Sequence, residues 1–197
     1  VTSGRLDALR DDLARRADDA GLLDLALADL DSPIGPLTVL VAPTGVVRIV
    51  LATEDRDEAI GEVADRWSPR ILRDPRRTDP LAAELDGYFA GRVQRFHAPV
   101  DLTLAAGFQR EVLDHLRRLP YGTTASYGDV AEATGRPKAV RAVGTACARN
   151  PVPIVVPCHR VLRSDGAIGN YRGGIEAKEL LLRLEADHRG DRGESAS

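Results

Sequence analysis

Residues 150–161 read NPVPIVVPCHRV, an apolar, β-branched run broken by three prolines. Its hydrophobicity suits a buried strand, but Pro151, Pro153 and Pro157 have no N–H to give to a ladder. The run is therefore expected as an ordered loop that shapes a pocket around Cys158, with the Asn150 side chain holding the turn. Within it a thiol stands beside an imidazole and a guanidinium, in the order Cys158, His159, Arg160. Cationic neighbours favour the thiolate, the form that attacks carbon, so Cys158 is a candidate nucleophile. A buried cysteine beside a chance histidine is the plainer alternative.

Cys147 is the one other cysteine, so no disulfide framework is expected, and no C-x-x-C or H-x-x-x-H spacing completes a zinc site. No metal is expected. With 197 residues, 43% of them hydrophobic and 29% charged, the chain can bury one large core or two small ones without staples. The opening VTSGRLDALRDDLARRADDAG is charged throughout where a signal peptide would be apolar, and no later run approaches a membrane span. A cytoplasmic protein with no membrane partner is expected.

A net charge of −3 argues by itself against a nucleic-acid partner, but the charge is unevenly divided. Residues 1–105 hold 13 basic and 19 acidic side chains, whereas residues 106–197 hold 14 and 11. Between residues 134 and 175 lie Arg136, Lys138, Arg141, Arg149, Arg160, Arg163 and Arg172 against a single acid, Asp165. That stretch contains the cysteine loop. Solvated faces usually mix both signs, so a phosphate-rich polyanion is the expected partner, with a merely solvated basic loop as the alternative.

Residues 1–22 place Leu6, Leu9, Leu13, Ala17 and Ala20 at helical spacing, which predicts a short amphipathic helix or a partly ordered tail. From residue 23 the runs LLDLALADL, LTVLVA and VVRIVLA, separated by DSPIGP and PTG, predict antiparallel strands. EDRDEAIGEVADRW and RRTDPLAAELDGYFAG predict helices, the second with Asp79 as N-cap, Pro80 at N1 and Gly91 near its end. VQRFHAPVDL predicts a closing strand, and the pattern changes near residue 104. Beyond it FQREVLDHLRRL presents Phe108, Val112, Leu116 and Leu119 on one helical face. TTASYGDVAEATG carries an S-x-x-D capping box, Ser126 to Asp129, and a stop at Gly135. RPKAVRAVGTACARN predicts a helix from Pro137 to Asn150, and the pair forms a candidate helix-turn-helix. The fold class expected is α/β (α+β): a small N-terminal antiparallel sheet with helices over 23–104, then a helical domain over 105–187 with the helix-turn-helix and the active-site loop. A disordered tail is expected over 188–197.

The second helix of that pair is smooth. Ala139, Val140, Ala142, Val143, Gly144, Thr145 and Ala146 are compact, and Arg141 alone is long. A major-groove reader needs several base-reading side chains. One cation on a helix whose Ala139 and Gly144 allow close approach better suits a minor-groove binder that pushes a side chain into the base stack. In the loop SDGAIGNYRGG, Tyr171 can stack on a planar ligand. In GIEAKELLLRLEADH, Glu185 falls beside apolar Leu181 and Leu184, where it can face inward and orient His159.

These motifs carry a resemblance. PCHRV, preceded by NPVPIVV and SYGDVAEATGRPKAVRAVG and followed by GNYRGG and KELLLRLE, is similar in order and spacing to the O6-alkylguanine-DNA alkyltransferases, the methylated-DNA-protein-cysteine methyltransferases. DSPIGPLTVLV and ELDGYFAG resemble that family's less distinctive N-terminal domain. The resemblance implies that residues 105–187 bind DNA and accept the alkyl group. It implies Cys158 as acceptor, His159 as the base that draws its proton through a water, Glu185 as the acid orienting His159, and Asn150 as the brace of the turn. It implies Arg141 as the finger that fills the gap left by a flipped nucleotide, and Tyr127 as the residue that helps to rotate that nucleotide and contacts the guanine. Val161, Tyr171 and Arg172 fall where the family binds the base and alkyl group. The implied partner is double-stranded DNA containing O6-alkylguanine and the implied reaction a single turnover without cofactor, carried out by a monomer whose cooperativity on DNA stays open. The chain departs from the family in having Leu113 where tryptophan is frequent, and it lacks the cysteines of the zinc-binding regulatory domain fused to some relatives. A lesion sensor without transfer and a multiple-turnover thiol hydrolase are the rival readings.

Overall fold

The first three apolar runs form strands β1 (Leu25–Leu30), β2 (Leu37–Ala42) and β3 (Gly45–Val50), paired antiparallel in succession. β2 and β3 are buried along their whole length, which is why they read as continuous apolar runs rather than alternating ones. The computed structural model describes residues 2–189. A fourth strand, β4 (Ile71–Arg73), pairs parallel to β1 and gives the order β3-β2-β1-β4, so the sheet is mixed where an antiparallel one was expected. Three residues between Pro69 and Pro75 are too few to show a period in the sequence.

Helix α1 spans Thr2–Asp19 and buries Ala14, while Leu6, Leu9 and Leu13 remain half or more exposed. A helix forms, as one of the two expected alternatives, with its leucines facing outward. The helix is tied down instead by Asp18, which pairs with Arg76 and Arg77. Helix α2 (Arg56–Arg66) is capped by Asp55, whose carboxylate accepts from the N–H groups of Asp57 and Glu58, and it lays Ala59 and Val63 on Leu25, Leu27, Leu40 and Val50 of the sheet.

Helix α3 (Pro75–Phe89) starts earlier than expected. Pro75, not Pro80, opens it; buried Asp74 accepts from the Arg76 N–H, and Pro80 lies inside the helix. Residues 93–101 form no strand beyond a single bridge between Val46 and Val100. The Glu84 carboxylate takes the N–H groups of His97 and Ala98, and Pro99 has none to offer a ladder.

Contacts group the chain into two units, residues up to Asp86 with His97–Leu104, and Gly87–Phe96 with residues from Ala105 onward. The last turn of α3 thus clusters with the second unit, although the sequence pattern changes near residue 104. In that unit α4 (Gly107–Leu116) buries Val112, Leu113 and Leu116, and it ends before Leu119. Leu113 is fully buried, so the departure from tryptophan is absorbed by core packing. Helix α5 (Tyr127–Ala133) begins with the expected capping box, the Ser126 hydroxyl and the Asp129 carboxylate each taking the other's N–H. Gly135, at φ 72°, turns the chain out of α5. Helix α6 (Val140–Ala148) starts three residues after Pro137, because residues 136–139 close a turn from Ala139 N–H to the Arg136 carbonyl. Two-residue strands β5 (Ala125–Ser126) and β6 (Val161–Leu162) pair parallel, and α7 (Ile175–Asp187) closes the unit. Residues 190–197 of the expected tail lie outside the described residues. Among the described residues no helix is long and apolar enough to cross a membrane.

Candidate active site

The proline-broken run is a buried loop that ends in a single 3₁₀ turn, Cys158–Arg160. Asn150 organises it from inside. Its Nδ2 donates to the Val156 carbonyl at 2.8 Å and to Cys158 Sγ at 3.2 Å, while its Oδ1 accepts from the Val152 N–H at 3.0 Å. Ile154 takes φ 74°, a left-handed backbone that a β-branched residue adopts only when its surroundings enforce it. The loop is thus held under local strain beside the thiol.

Cys158 is buried, and burial pushes its thiol up from the ordinary value. The hydrogen bond from Asn150 and the charge of Lys178 pull it back. Arg160, expected to help stabilise a thiolate, does not do so. Its guanidinium is bidentate on Glu185, with Nε to Oε2 at 2.8 Å and Nη2 to Oε1 at 2.9 Å, and it also donates to the Leu119 carbonyl at 2.6 Å. Arg160 is consequently buried and drops out of the basic face as well.

His159 is completely buried, and its Nε2 lies 2.9 Å from Glu185 Oε1. Burial alone would raise the Glu185 carboxyl, but the hydrogen bonds from His159 and Arg160 outweigh that and hold it well below the usual carboxylate range. A carboxylate can only accept, so Nε2 carries the proton and Nδ1 is the free base. Burial keeps the imidazole neutral, its readiness to protonate pushed down despite Glu185. Nδ1 has no hydrogen-bond partner among the described residues. The loop therefore holds a protonated thiol braced by an amide next in sequence to a neutral, tautomer-fixed imidazole, an arrangement suited to general-base activation of a sulfur nucleophile.

Of the other expected residues, Tyr127 opens α5, half-buried, with its ring 3.9 Å from where a Cβ on Gly144 of α6 would stand. A Cβ on Gly169 would come within 2.8 Å of its hydroxyl, so glycine there lets the loop close on Tyr127. Burial raises the Tyr127 phenol, with further upward contributions from Cys147 and Cys158, which puts the ring in the field of the thiol site. Arg141 is exposed on α6, and Ala139 caps that helix without a side-chain hydrogen bond. The Tyr171 ring stands edge-on to His159, with centroids 6.4 Å apart. Val161 is buried, and its carbonyl accepts from Lys178 Nζ at 2.6 Å. Arg172 donates from Nε to the Ala148 carbonyl at 2.9 Å, close to the end of α6. Among the described residues no group of three or more His, Cys, Asp or Glu is placed to hold a metal.

The structure adds three residues to which the sequence assigned no place in the site. Lys178 is fully buried although charged, and Tyr88 and the Gly122 N–H reach Glu185 at 2.8 and 3.0 Å. Lys178 could have been found. It falls three residues before Leu181 and seven before Glu185, on the inward stripe of α7, where a lysine has no place unless it is used.

Residues 107–187 match the family model for the 6-O-methylguanine DNA methyltransferase DNA-binding domain. A methylated-DNA-protein-cysteine methyltransferase of Mycobacterium tuberculosis strain H37Rv is 38% identical over 156 residues, 79% of this chain and 89% of that protein. The chain belongs to the methylated-DNA-protein-cysteine methyltransferase family. Among solved members, the Mycobacterium tuberculosis OGT in complex with DNA superposes with a TM-score of 0.72 at 34% identity, covering 83% of this chain and 94% of that one. The O6-methylguanine-DNA methyltransferase of the archaeon Pyrococcus kodakaraensis strain KOD1 gives 0.56 at 29% identity, covering 82% and 98%. The α/β fold of this methyltransferase family is therefore the fold of the present chain, and its matched DNA-binding region includes Cys158, His159 and Glu185.

Proposed function

We propose that this protein repairs double-stranded DNA containing O6-alkylguanine by moving the alkyl group to its own Cys158, once per molecule. The observation that carries this reading is the buried set Asn150, Cys158, His159 and Glu185, joined by hydrogen bonds from Asn150 to Cys158 and from His159 to Glu185, in a family member. His159 Nδ1 draws the thiol proton through a water, with Glu185 stabilising the imidazolium that forms. The Cys158 sulfur bonds to the alkyl carbon, the bond from that carbon to O6 breaks, and guanine leaves with the electron pair and is then protonated. Asn150, which donates to the sulfur, favours the thiolate as it develops. The product is a thioether. Nothing in the set is placed to cleave its carbon–sulfur bond, which supports a single turnover. Incubation with a duplex carrying labelled O6-methylguanine should place the label on the peptide containing Cys158; label elsewhere, or none, would refute the assignment.

The helix-turn-helix of α5 and α6 supports a lesion that is flipped from the duplex, with exposed Arg141 filling the gap and Tyr127, Tyr171, Arg172 and the Val161 backbone around the base. Ala139 and Gly144 present little side chain, so that α6 can approach the phosphate backbone closely. Arg141→Ala should slow repair in duplex DNA by roughly 10²-fold, since unstacking a nucleotide costs a few kcal/mol, and leave reaction with a free O6-alkylguanine base nearly unchanged. Measuring both rates checks this. Equal slowing on both substrates would remove Arg141 from base flipping.

A further inference from the structure

The Glu185 carboxylate receives five hydrogen bonds, and their distribution is uneven. Oε2 accepts from Arg160 Nε and the Gly122 N–H, whereas Oε1 accepts from Arg160 Nη2, His159 Nε2 and the Tyr88 hydroxyl. The Tyr88 oxygen is 2.8 Å from Oε1 and 3.5 Å from His159 Nε2, so Tyr88 and His159 share an oxygen that Arg160 also holds. Tyr88 comes from ELDGYFAG at the end of α3, in the same unit as His159 and Glu185. It is fully buried, and its ring is fixed edge-on to Phe89 at 5.4 Å, tilted against Phe96 at 5.3 Å and edge-on to Tyr121 at 6.1 Å. A phenol held this firmly keeps its hydroxyl on Glu185 Oε1 and beside His159 Nε2.

We propose that Tyr88 is a positioning residue for His159, its hydroxyl sharing Oε1 of Glu185 and so setting how readily the imidazole accepts a proton. This rests on the reading of His159 as the base. A hydrogen bond to a carboxylate oxygen draws charge away from that oxygen. With Tyr88 present, less negative charge faces Nε2, the imidazolium is stabilised less, and His159 stays neutral to lower pH. The other charged and titratable groups facing His159 are Glu185 and Lys178 from α7, Arg160 and Cys158 on either side in the chain, and Tyr171 edge-on. Tyr121 faces Arg160 and Tyr88, and burial pushes its phenol up to about 12, so it does not titrate in the working range. Burial, then the charge and hydrogen bond of Glu185, raise the Tyr88 phenol far above its ordinary value, so it remains a donor throughout.

The test replaces Tyr88 in the full chain by phenylalanine and, separately, by 3-fluorotyrosine, whose phenol is more acidic and donates more strongly. The His159 ring is followed by NMR as pH is varied, beside the pH profile of methyl transfer from a labelled duplex. The His159 midpoint should rise by about one pH unit in Tyr88→Phe, the equivalent of ~1.4 kcal/mol, and fall in the fluorotyrosine protein. Midpoints that do not move, or that move in the opposite order, would overturn the inference and leave Tyr88 a packing residue. Should Tyr88→Phe fail to fold, the fluorotyrosine protein decides alone, because its ring packs almost identically. A midpoint that shifts as expected while the transfer profile stays still supports the role of Tyr88 and counts against His159 as the base.

Discussion

Cys158→Ser should abolish methyl transfer, by about 10⁴-fold or more, while leaving affinity for duplex DNA nearly unchanged. The hydroxyl is smaller than the thiol, and it keeps a hydrogen-bond partner in Asn150, so the loop should fold as before. What changes is the nucleophile. Burial already pushes the Cys158 thiol up, leaving the neutral His159 to remove the proton during attack. A serine hydroxyl is a far weaker acid and a poorer carbon nucleophile, and this site offers it no additional base. Single-turnover kinetics on labelled duplex and a binding titration on the same DNA read the two effects separately. Normal transfer would remove Cys158 from the mechanism, and loss of binding in step with transfer would mean that the substitution disturbed the fold.

Glu185→Gln should destabilise the protein by about 3–5 kcal/mol and stop transfer as well. Glu185 is buried, with Arg160 bidentate upon it and His159, Tyr88 and Gly122 donating to the same two oxygens. Glutamine turns one acceptor into a donor. Its amide nitrogen must then face N–H or O–H donors, and the Arg160 charge is left buried without a counter-ion. The pH dependence has a definite sign. The folded Glu185 carboxyl ionises below its unfolded value, so its stabilisation is present above the ordinary carboxylate range and is lost as pH falls through that range towards the folded value. His159 works in the same direction, since an imidazole buried neutral must acquire charge when acid unfolds the chain. Urea unfolding near pH 7 and near pH 4 checks both statements. The wild type should lose stability between them, and Glu185→Gln should lose less. A variant within 1 kcal/mol of wild type would show that the clamp contributes little.

Much of this site can be read in the sequence because it is local in the chain. Asn150, Cys158 and His159 lie within ten residues, and three prolines suffice to mark their segment as a loop. The Ser126–Asp129 capping box is likewise a short-range signal, and it fixes where α5 begins. Glu185 could be suspected because a carboxylate beside Leu181 and Leu184 breaks an apolar stripe. What stayed hidden is held by partners distant in the chain. Tyr88 reaches Glu185 across 97 positions, and nothing in ELDGYFAG distinguishes a phenol that donates from one that only packs. Arg160 looked like one more cation on a basic stretch, and only its clamp on Glu185 shows that it is spent inside. The outward leucines of α1 and the parallel strand β4 share another cause. A period in the sequence gives a face, but the element that a face meets is decided by tertiary contacts.

Stoichiometry tests the central claim most directly, namely that Cys158 accepts the alkyl group and keeps it. A fixed amount of protein would be titrated with an excess of duplex carrying labelled O6-methylguanine, and the methyl groups removed counted against the Cys158 thiols present. The count should stop at one per molecule, with the label on the Cys158 peptide, where Asn150 donates to the sulfur and the next residue is the base His159, and none on Cys147. A count that continues well past one without fresh protein would contradict the account and make Cys158 the nucleophile of a hydrolase.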